Sequence, residues 1–241
     1  MKKLTLICLL FGSGFLFGQS PSNPKDSQGK PHGAWQKLHD NGKVRYTGTF
    51  NHGIPVDTFK YYYEDGQLQT INVFRGKTGV CMSFQYGEKK ILAAQGLYRN
   101  RQKDSVWTYY NREGQIVSKV NFENGVENGL SEKFHTNGKL AERVIYKDGK
   151  MHGPWERFYD SGKKMAQGQY VEGKLQGEAT YFYSSGKPRS RGSYIKGLMD
   201  GTWYFFSPDL KLDHKEIWKR GRLIDDGKED DEEAEEAKEA N

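Results

Sequence analysis

The sequence has almost no cysteine: two residues in 241, Cys8 and Cys81. Cys8 lies in an apolar leader, so a processed chain keeps only Cys81. A lone thiol excludes an internal disulfide staple, a CxxC redox pair and a thiolate zinc site. Beyond the leader there is also no long apolar run, and mean hydropathy is −0.89. The leader carries Lys2 and Lys3, then an apolar stretch over residues 4–17, then Gly18, Gln19 and Ser20. At 14 residues that stretch is shorter than the ~20 a spanning helix needs. It therefore reads as a signal peptide over residues 1–20, removed near 18–20, with a membrane anchor as the competing reading. Cys8 sits too early, and among bulky residues, for a lipoprotein cleavage cysteine. Export places the chain in an oxidising compartment where small folds often rely on disulfides. This one does not, and Cys81 is expected to be a small buried apolar residue.

A catalytic constellation is lacking too. The six histidines are scattered along the chain, whereas a metal site needs converging ligands. Glu142, Glu156 and Glu172 are equally dispersed, and no serine sits in a nucleophile motif. No enzyme activity, metal or cofactor is expected. Charge is plentiful but uneven, with 37 Lys and Arg against 31 Asp and Glu. Residues 225–241 hold ten of the acids and two of the lysines, which leaves residues 21–224 at +12. A basic body with an acidic tail attracts anionic partners and allows the tail to screen the body. The tail has almost no apolar content and is expected to be disordered. Residues 21–30 read as an unpacked leader.

What the sequence has in abundance is a repeat. With Gly33 as position zero, the frame recurs at Asp57, Gly79, Ser105, Gly129, Gly153, Gly177 and Gly201, in steps of 24, 22, 26, 24, 24, 24 and 24 residues. A fixed period means one supersecondary unit stacked many times. Each unit reads as a β-hairpin. Turns such as Asp40-Asn41-Gly42, Thr136-Asn137-Gly138 and Asp160-Ser161-Gly162 suit a three-residue loop that ends on a glycine with φ > 0. A second glycine at position 20 (Gly53, Gly125, Gly149, Gly173, Gly197, Gly221) leads into the next hairpin. The expected fold is all-β: an elongated, open antiparallel sheet of about eight stacked ~24-residue hairpins over residues 31–224. Sixteen strands at ~4.8 Å each would extend roughly 75 Å. The third repeat fits worst, with two extra residues near Lys89 and Lys90 that predict a bulge or a longer loop.

A loop of this length pairs position 5 with 11, 3 with 13 and 1 with 15. Alternation along each strand then puts positions 5, 11, 15 and 17 on one face. Position 5 is Leu38, Tyr62, Phe84, Tyr110, Phe134, Phe158, Phe182 and Phe206, and is expected to be the core stripe. The other face collects Trp107, Ser131, Trp155, Ala179 and Trp203 at position 2, alternately large and small. Arg45, Arg189, Lys119, Arg143 and Arg191, at positions 12 and 14, stand with them.

The pattern G-x-W-x-x-[FY]-x-x-x-G-K, then [FY]-x-x-G, resembles the MORN repeat, and more closely its bacterial variant. The segments GPWERFYDSGKKMAQGQYVEG and GTWYFFSPDLKLDHKEIWKRG carry the resemblance best, and eight copies in frame cover nearly all of the mature chain. Asp57, Ser105, Ser131, Ala179 and the third repeat depart from the pattern. The resemblance implies an open β-sheet scaffold. Some members of the family are proposed to contact phospholipid headgroups, and some bacterial variants are labelled antitoxins. MORN arrays also occur attached to lipid kinases, but no Gly-rich phosphate loop or catalytic-loop motif is found here.

The basic row with its tryptophans is the candidate binding surface: Arg45, Lys119, Arg143, Arg189, Arg191, Trp107, Trp155 and Trp203. Arginine with aromatics suits an anionic lipid, a glycan or a polyanion. The competing reading is a solvated sheet face protected by charge. An export signal argues against nucleic acid despite the pI of about 9.0. The first functional reading is a non-enzymatic exported scaffold, in the periplasm, on the cell envelope or secreted, that binds a protein partner or an anionic envelope surface. The second is an antitoxin-like or immunity protein that neutralises one cognate partner. An envelope enzyme is third.

Overall fold

The computed structural model describes residues 23–227; the leader and most of the acidic tail lie outside them. The described residues form one antiparallel sheet of 18 strands paired in chain order, apart from one interrupted strand whose two pieces both pair with the strand before it, and no α-helix. The strands are β1 (Gly33–Leu38), β2 (Val44–Asn51), β3 (Ile54–Tyr62), β4 (Leu68–Phe74), β5 (Val80–Tyr86), β6 (Leu92–Arg99), β7 (Gln102–Tyr110), β8 (Ile116–Glu123) and β9 (Val126–Phe134). They continue as β10 (Leu140–Lys147), β11 (Lys150–Phe158), β12 (Lys164–Val171), β13 (Lys174–Leu175), β14 (Gly177–Phe182), β15 (Pro188–Ile195), β16 (Leu198–Phe206), β17 (Leu212–Lys219) and β18 (Arg222–Asp225). Eight hairpins account for sixteen of them. The other two arise because one strand is interrupted as β13 and β14 and because β18 adds a short edge. No helix among the described residues is long and apolar enough to cross a membrane.

The turns follow the sequence. The glycines that end the hairpin loops have left-handed φ, for example Gly42 at 79° and Gly162 at 93°. Between hairpins the chain turns on two residues with φ > 0, such as Asn124 at 49° and Gly125 at 84°. This is the type I′ geometry that matches the twist of paired strands. Where a lysine follows the hairpin glycine it has a structural role: Lys43, Lys139, Lys163 and Lys187 donate through Nζ to carbonyls of the next turn at 2.8–3.0 Å. His39 and His135 reach the carbonyls of Tyr62 and Phe158, both at 2.9 Å.

Register is where expectation and structure part. Position 5 does pair with 11, as Phe158 with Lys164, but Arg157 then pairs with Ala166 and Trp155 with Gly168. A β-bulge has inserted one residue. A one-residue slip moves every later side chain to the opposite face. Positions 2, 4, 13, 15 and 17 therefore share the core face, and position 5 lies on the other. The buried set confirms this, with Phe59, Trp107, Ser131, Trp155, Ala179 and Trp203 all buried, whereas Leu38 is 48 % exposed and Phe158 only partly covered. Position 17 rings meet those at position 2 edge-on, as Tyr98 on Trp107 at 4.9 Å and Tyr194 on Trp203 at 5.1 Å. Beneath them the backbone is bare. A Cβ on Gly48, Gly96 or Gly192 would fall 2.3–2.4 Å from the ring of Phe59, Trp107 or Trp203.

The third repeat is also reframed. Tyr86 pairs with Leu92 and Ser83 with Gly96, as Tyr110 pairs with Ile116 and Trp107 with Val120. Its position zero is thus Cys81, every step is 24 residues, and no residues are extra. Lys89 and Lys90, at φ 57° and 59°, take left-handed conformations in a short 3-10 turn. Ser83, not Cys81, holds the slot filled by a ring in the hairpins before and after it. Cys81 is buried, and burial pushes its thiol pKa up.

The segment before β1 is packed, contrary to expectation. Asn23 exchanges two side-chain hydrogen bonds with the Gln36 backbone at 2.8–2.9 Å, Trp35 Nε1 donates to the Pro24 carbonyl at 2.7 Å, and Lys25 bridges to Pro31. It covers the free edge of β1, which would otherwise offer unpaired backbone groups.

Candidate functional site

The two faces of the sheet offer different chemistry. The core face carries the rings. On the open face, positions 3 and 14 line up across the strands as one continuous row. Over β7 to β17 it reads Thr108, Lys119, Glu132, Arg143, Glu156, Gln167, Thr180, Arg191, Tyr204, Lys215. Lys119, Arg143 and Arg191 are thus brought onto one row, as expected. Lys215 completes it. Its position 14 was the signal that could have found it.

The row is not uniformly positive. Arg143 Nε donates to Glu156 Oε2, and Lys164 Nζ donates to the other oxygen at 2.9 Å. The Lys164 ammonium, with Arg143 beside it, holds the Glu156 carboxyl below its ordinary range against a smaller upward push from burial. Lys119 stands opposite Glu132, with Nζ 5.8 Å from the Phe134 ring centre. Arg191 lies over Tyr204 and Phe206 at 5.4 and 5.6 Å, and Lys215 over Tyr204 at 5.9 Å, without an ion pair to a described residue. Lys119, Arg191 and Lys215 are thus the cations of the row without an ion pair to a described residue.

The remaining candidates separate from that row. Trp107, Trp155 and Trp203 are buried on the opposite face, so they cannot stand beside the basic row; the bulge is the physical reason. Arg45 and Arg189 are the extra residues of the bulges in β2 and β15, near the hairpin turns. Sequence reasoning also missed a charged cluster on the core face. Glu142 is buried and accepts from Trp155 Nε1 at 3.0 Å, Lys133 Nζ at 2.8 Å and Arg157 Nε at 3.3 Å. Burial pushes its carboxyl up, but the bonds from Lys133 and Trp155 outweigh it, and the net shift is downward. No signal in a single repeat marks this site, because its members come from three strands.

Beside the charged row runs an apolar one, at positions 1 and 16. Ile145 pairs with Leu130, and Val73 with Met82, which pairs with Leu97. Val106 is 47 % exposed, Leu130 41 % and Ile145 38 %. Among the described residues, no group of three His, Cys, Asp or Glu is placed to hold a metal ion.

A family model described as "MORN repeat variant" matches residues 31–52, 58–74, 103–124, 127–148, 151–172 and 175–196. The reframed third repeat falls between two matches. None of the curated proteins matches. Among solved structures, the chain is similar to a TarM mutant from S. aureus in complex with fondaparinux, alpha-GlcNAc-glycerol and UDP. The identity is 9 %, over 49 % of this chain and 21 % of that one, with a TM-score of 0.31. A GtfA/B complex bound to UDP and GlcNAc gives 9 % over 52 % and 23 %, TM-score 0.22. A porin-like protein from Bacteroides uniformis gives 9 % over 79 % and 91 %, TM-score 0.19. The chain spans less than a quarter of the length of the first two.

Proposed function

The chain belongs to the MORN repeat variant family and is a repeat scaffold, and we propose that it is a non-catalytic, exported one whose open face holds a protein partner. The observation that carries this reading is the exposed set of Val106, Leu130 and Ile145, with Asn121 between the first two, beside a row of alternating charge. Clustered exposed apolar side chains with polar neighbours mark protein contact surfaces. Charges of both signs next to them set the register of a partner more than its affinity. Export rests on the leader at residues 1–20, and would place the protein in the periplasm, on the envelope or outside the cell. The test is capture of envelope proteins by the mature chain carrying a photoreactive side chain at Val106. A Leu130→Lys/Ile145→Lys variant should lose the crosslinked species. An unchanged crosslinking pattern would refute the assignment of the face. A single stoichiometric species would favour an antitoxin-like or immunity role.

A second reading is contact with an anionic envelope surface, lipid or glycan. It is favoured by Arg191 and Lys215, which make no ion pair with a described residue, and by the +12 body. Exposed charges are screened over ~8–10 Å at ordinary ionic strength. Retention on anionic vesicles should therefore fall as salt rises and improve when residues 228–241 are deleted. Equal retention on neutral vesicles in all these conditions would reject it.

A further inference from the structure

The core face carries one junction unlike the others. Each junction brings position 15 of one hairpin against position 2 of the next. Gly48 meets Phe59, Gly96 meets Trp107, and Gly192 meets Trp203, in each case with a ring on bare backbone. Val120 meets Ser131, Val144 meets Trp155, and Gly168 meets Ala179, in each case with at least one apolar side chain. Only between β4 and β5 are both residues polar: Asn72 pairs with Ser83. Ser83 is fully buried, and neither its Oγ nor the buried Asn72 Oδ1 has a hydrogen-bond partner among the described residues. Unpaired buried polar atoms are costly and rare in folded proteins, and each one needs an explanation.

Asn72 and Ser83 both line an open groove of about 920 Å³. That volume lies in the range of small-ligand sites. On the β3 side the Phe59 ring leans away from the groove over Gly48, while on the other side Trp107 lies over Gly96, the residue paired with Ser83. Its aromatic walls are Tyr61, Phe74 and Tyr98, and Gln69 and Gln85 add amides. Arg101 is the single charged side chain on the lining, and no carboxylate is present.

From this we infer that the β4–β5 groove is a binding site for a neutral sugar unit. Asn72 Oδ1 can only accept a hydrogen bond, while Ser83 Oγ can donate and accept. A ligand hydroxyl, itself donor and acceptor, satisfies both. The electron-rich faces of Tyr61, Phe74 and Tyr98 suit the C–H faces of a sugar ring. The near absence of charge disfavours a phosphorylated or acidic ligand. The site lies on the face opposite the proposed partner contact, so either assignment can fail alone.

The experiment is a ligand-detected NMR titration of the mature chain with glucose, galactose, N-acetylglucosamine, maltotriose and cellotriose. Adenosine and phenol serve as planar aromatic controls. At least one saccharide should bind saturably. Ser83→Ala keeps the shape and removes one hydroxyl, and should weaken binding about 2- to 10-fold, the range of one neutral hydrogen bond. The Asn72→Gly/Ser83→Phe double variant copies the Gly48–Phe59 junction. It should fill the groove and lose binding, with a thermal melting temperature no lower than that of the parent. No saccharide binding to the parent chain overturns the proposal. So does equal binding by both variants, or binding by the aromatic controls alone.

Discussion

A single methyl group at Gly96 should destabilise the array. A Cβ built there falls 2.4 Å from Trp107 Cδ2 and 2.5 Å from Cε2 and Cγ. Carbon atoms approach comfortably to about 3.5–4.0 Å, so the indole must retreat by roughly 1 Å. It is poorly placed to do so. Trp107 is fully buried, its Nε1 donates to the Leu97 carbonyl at 2.9 Å, and the Tyr98 ring meets it edge-on. Overpacking of this kind costs about 1–3 kcal/mol, and loss of the indole hydrogen bond adds about 1 kcal/mol. Gly96→Ala should thus cost about 2–4 kcal/mol. Gly87→Ala is the control. Gly87 has φ −92° and nothing within 4 Å of the added carbon. It should be neutral, or stabilising by up to about 1 kcal/mol through the unfolded chain. Urea denaturation followed by far-UV circular dichroism measures both. A Gly96→Val/Trp107→Ser variant copies the Val120–Ser131 junction and should recover much of the loss, because the two sites are coupled. Equal midpoints for Gly96→Ala and Gly87→Ala, with equal slopes, would refute the packing of rings on bare backbone.

Three further outcomes are expected. Trp107→Ala should cost about 3–5 kcal/mol, and Phe158→Ala clearly less, since Phe158 is only partly buried on the open face; the reverse order in urea would restore the unbulged register. The Glu142 carboxyl is held below its ordinary 4.5 in the folded state, so its contribution is present above that pH and is lost as pH falls towards the folded value. Glu142→Gln should therefore be less stable than the parent at neutral pH, with a shallower loss of stability below pH 4.5, and parallel pH profiles would count against the cluster. Cys81 is buried and its thiol is pushed up in pKa, so a disulfide reagent at pH 8 should label it only after unfolding; rapid labelling of folded protein would mean that the strand is open.

The sequence alone determined the period, the hairpin, the turns and the family. Those features depend on residues a fixed number of places apart: a glycine such as Gly162 at the left-handed turn position, a lysine such as Lys163 after it, and a ring at position 2. They recur because each hairpin must stack on the next in the same way. The row of Lys119, Arg143 and Arg191 was legible for the same reason. Only the tertiary structure decided which face is the core. A bulge adds a residue without changing the period, so a count of residues cannot detect it. Every side chain beyond it nevertheless changes sides. That is why Trp155 is buried and Phe158 is not. The third repeat shows the same limit. Gly79 mimics the frame glycine, and only the pairing of Ser83 with Gly96 reveals that Cys81 stands in its place. The two unpartnered polar atoms of Asn72 and Ser83 were invisible in sequence for a related reason. Whether a serine is satisfied depends on what lies across the strand.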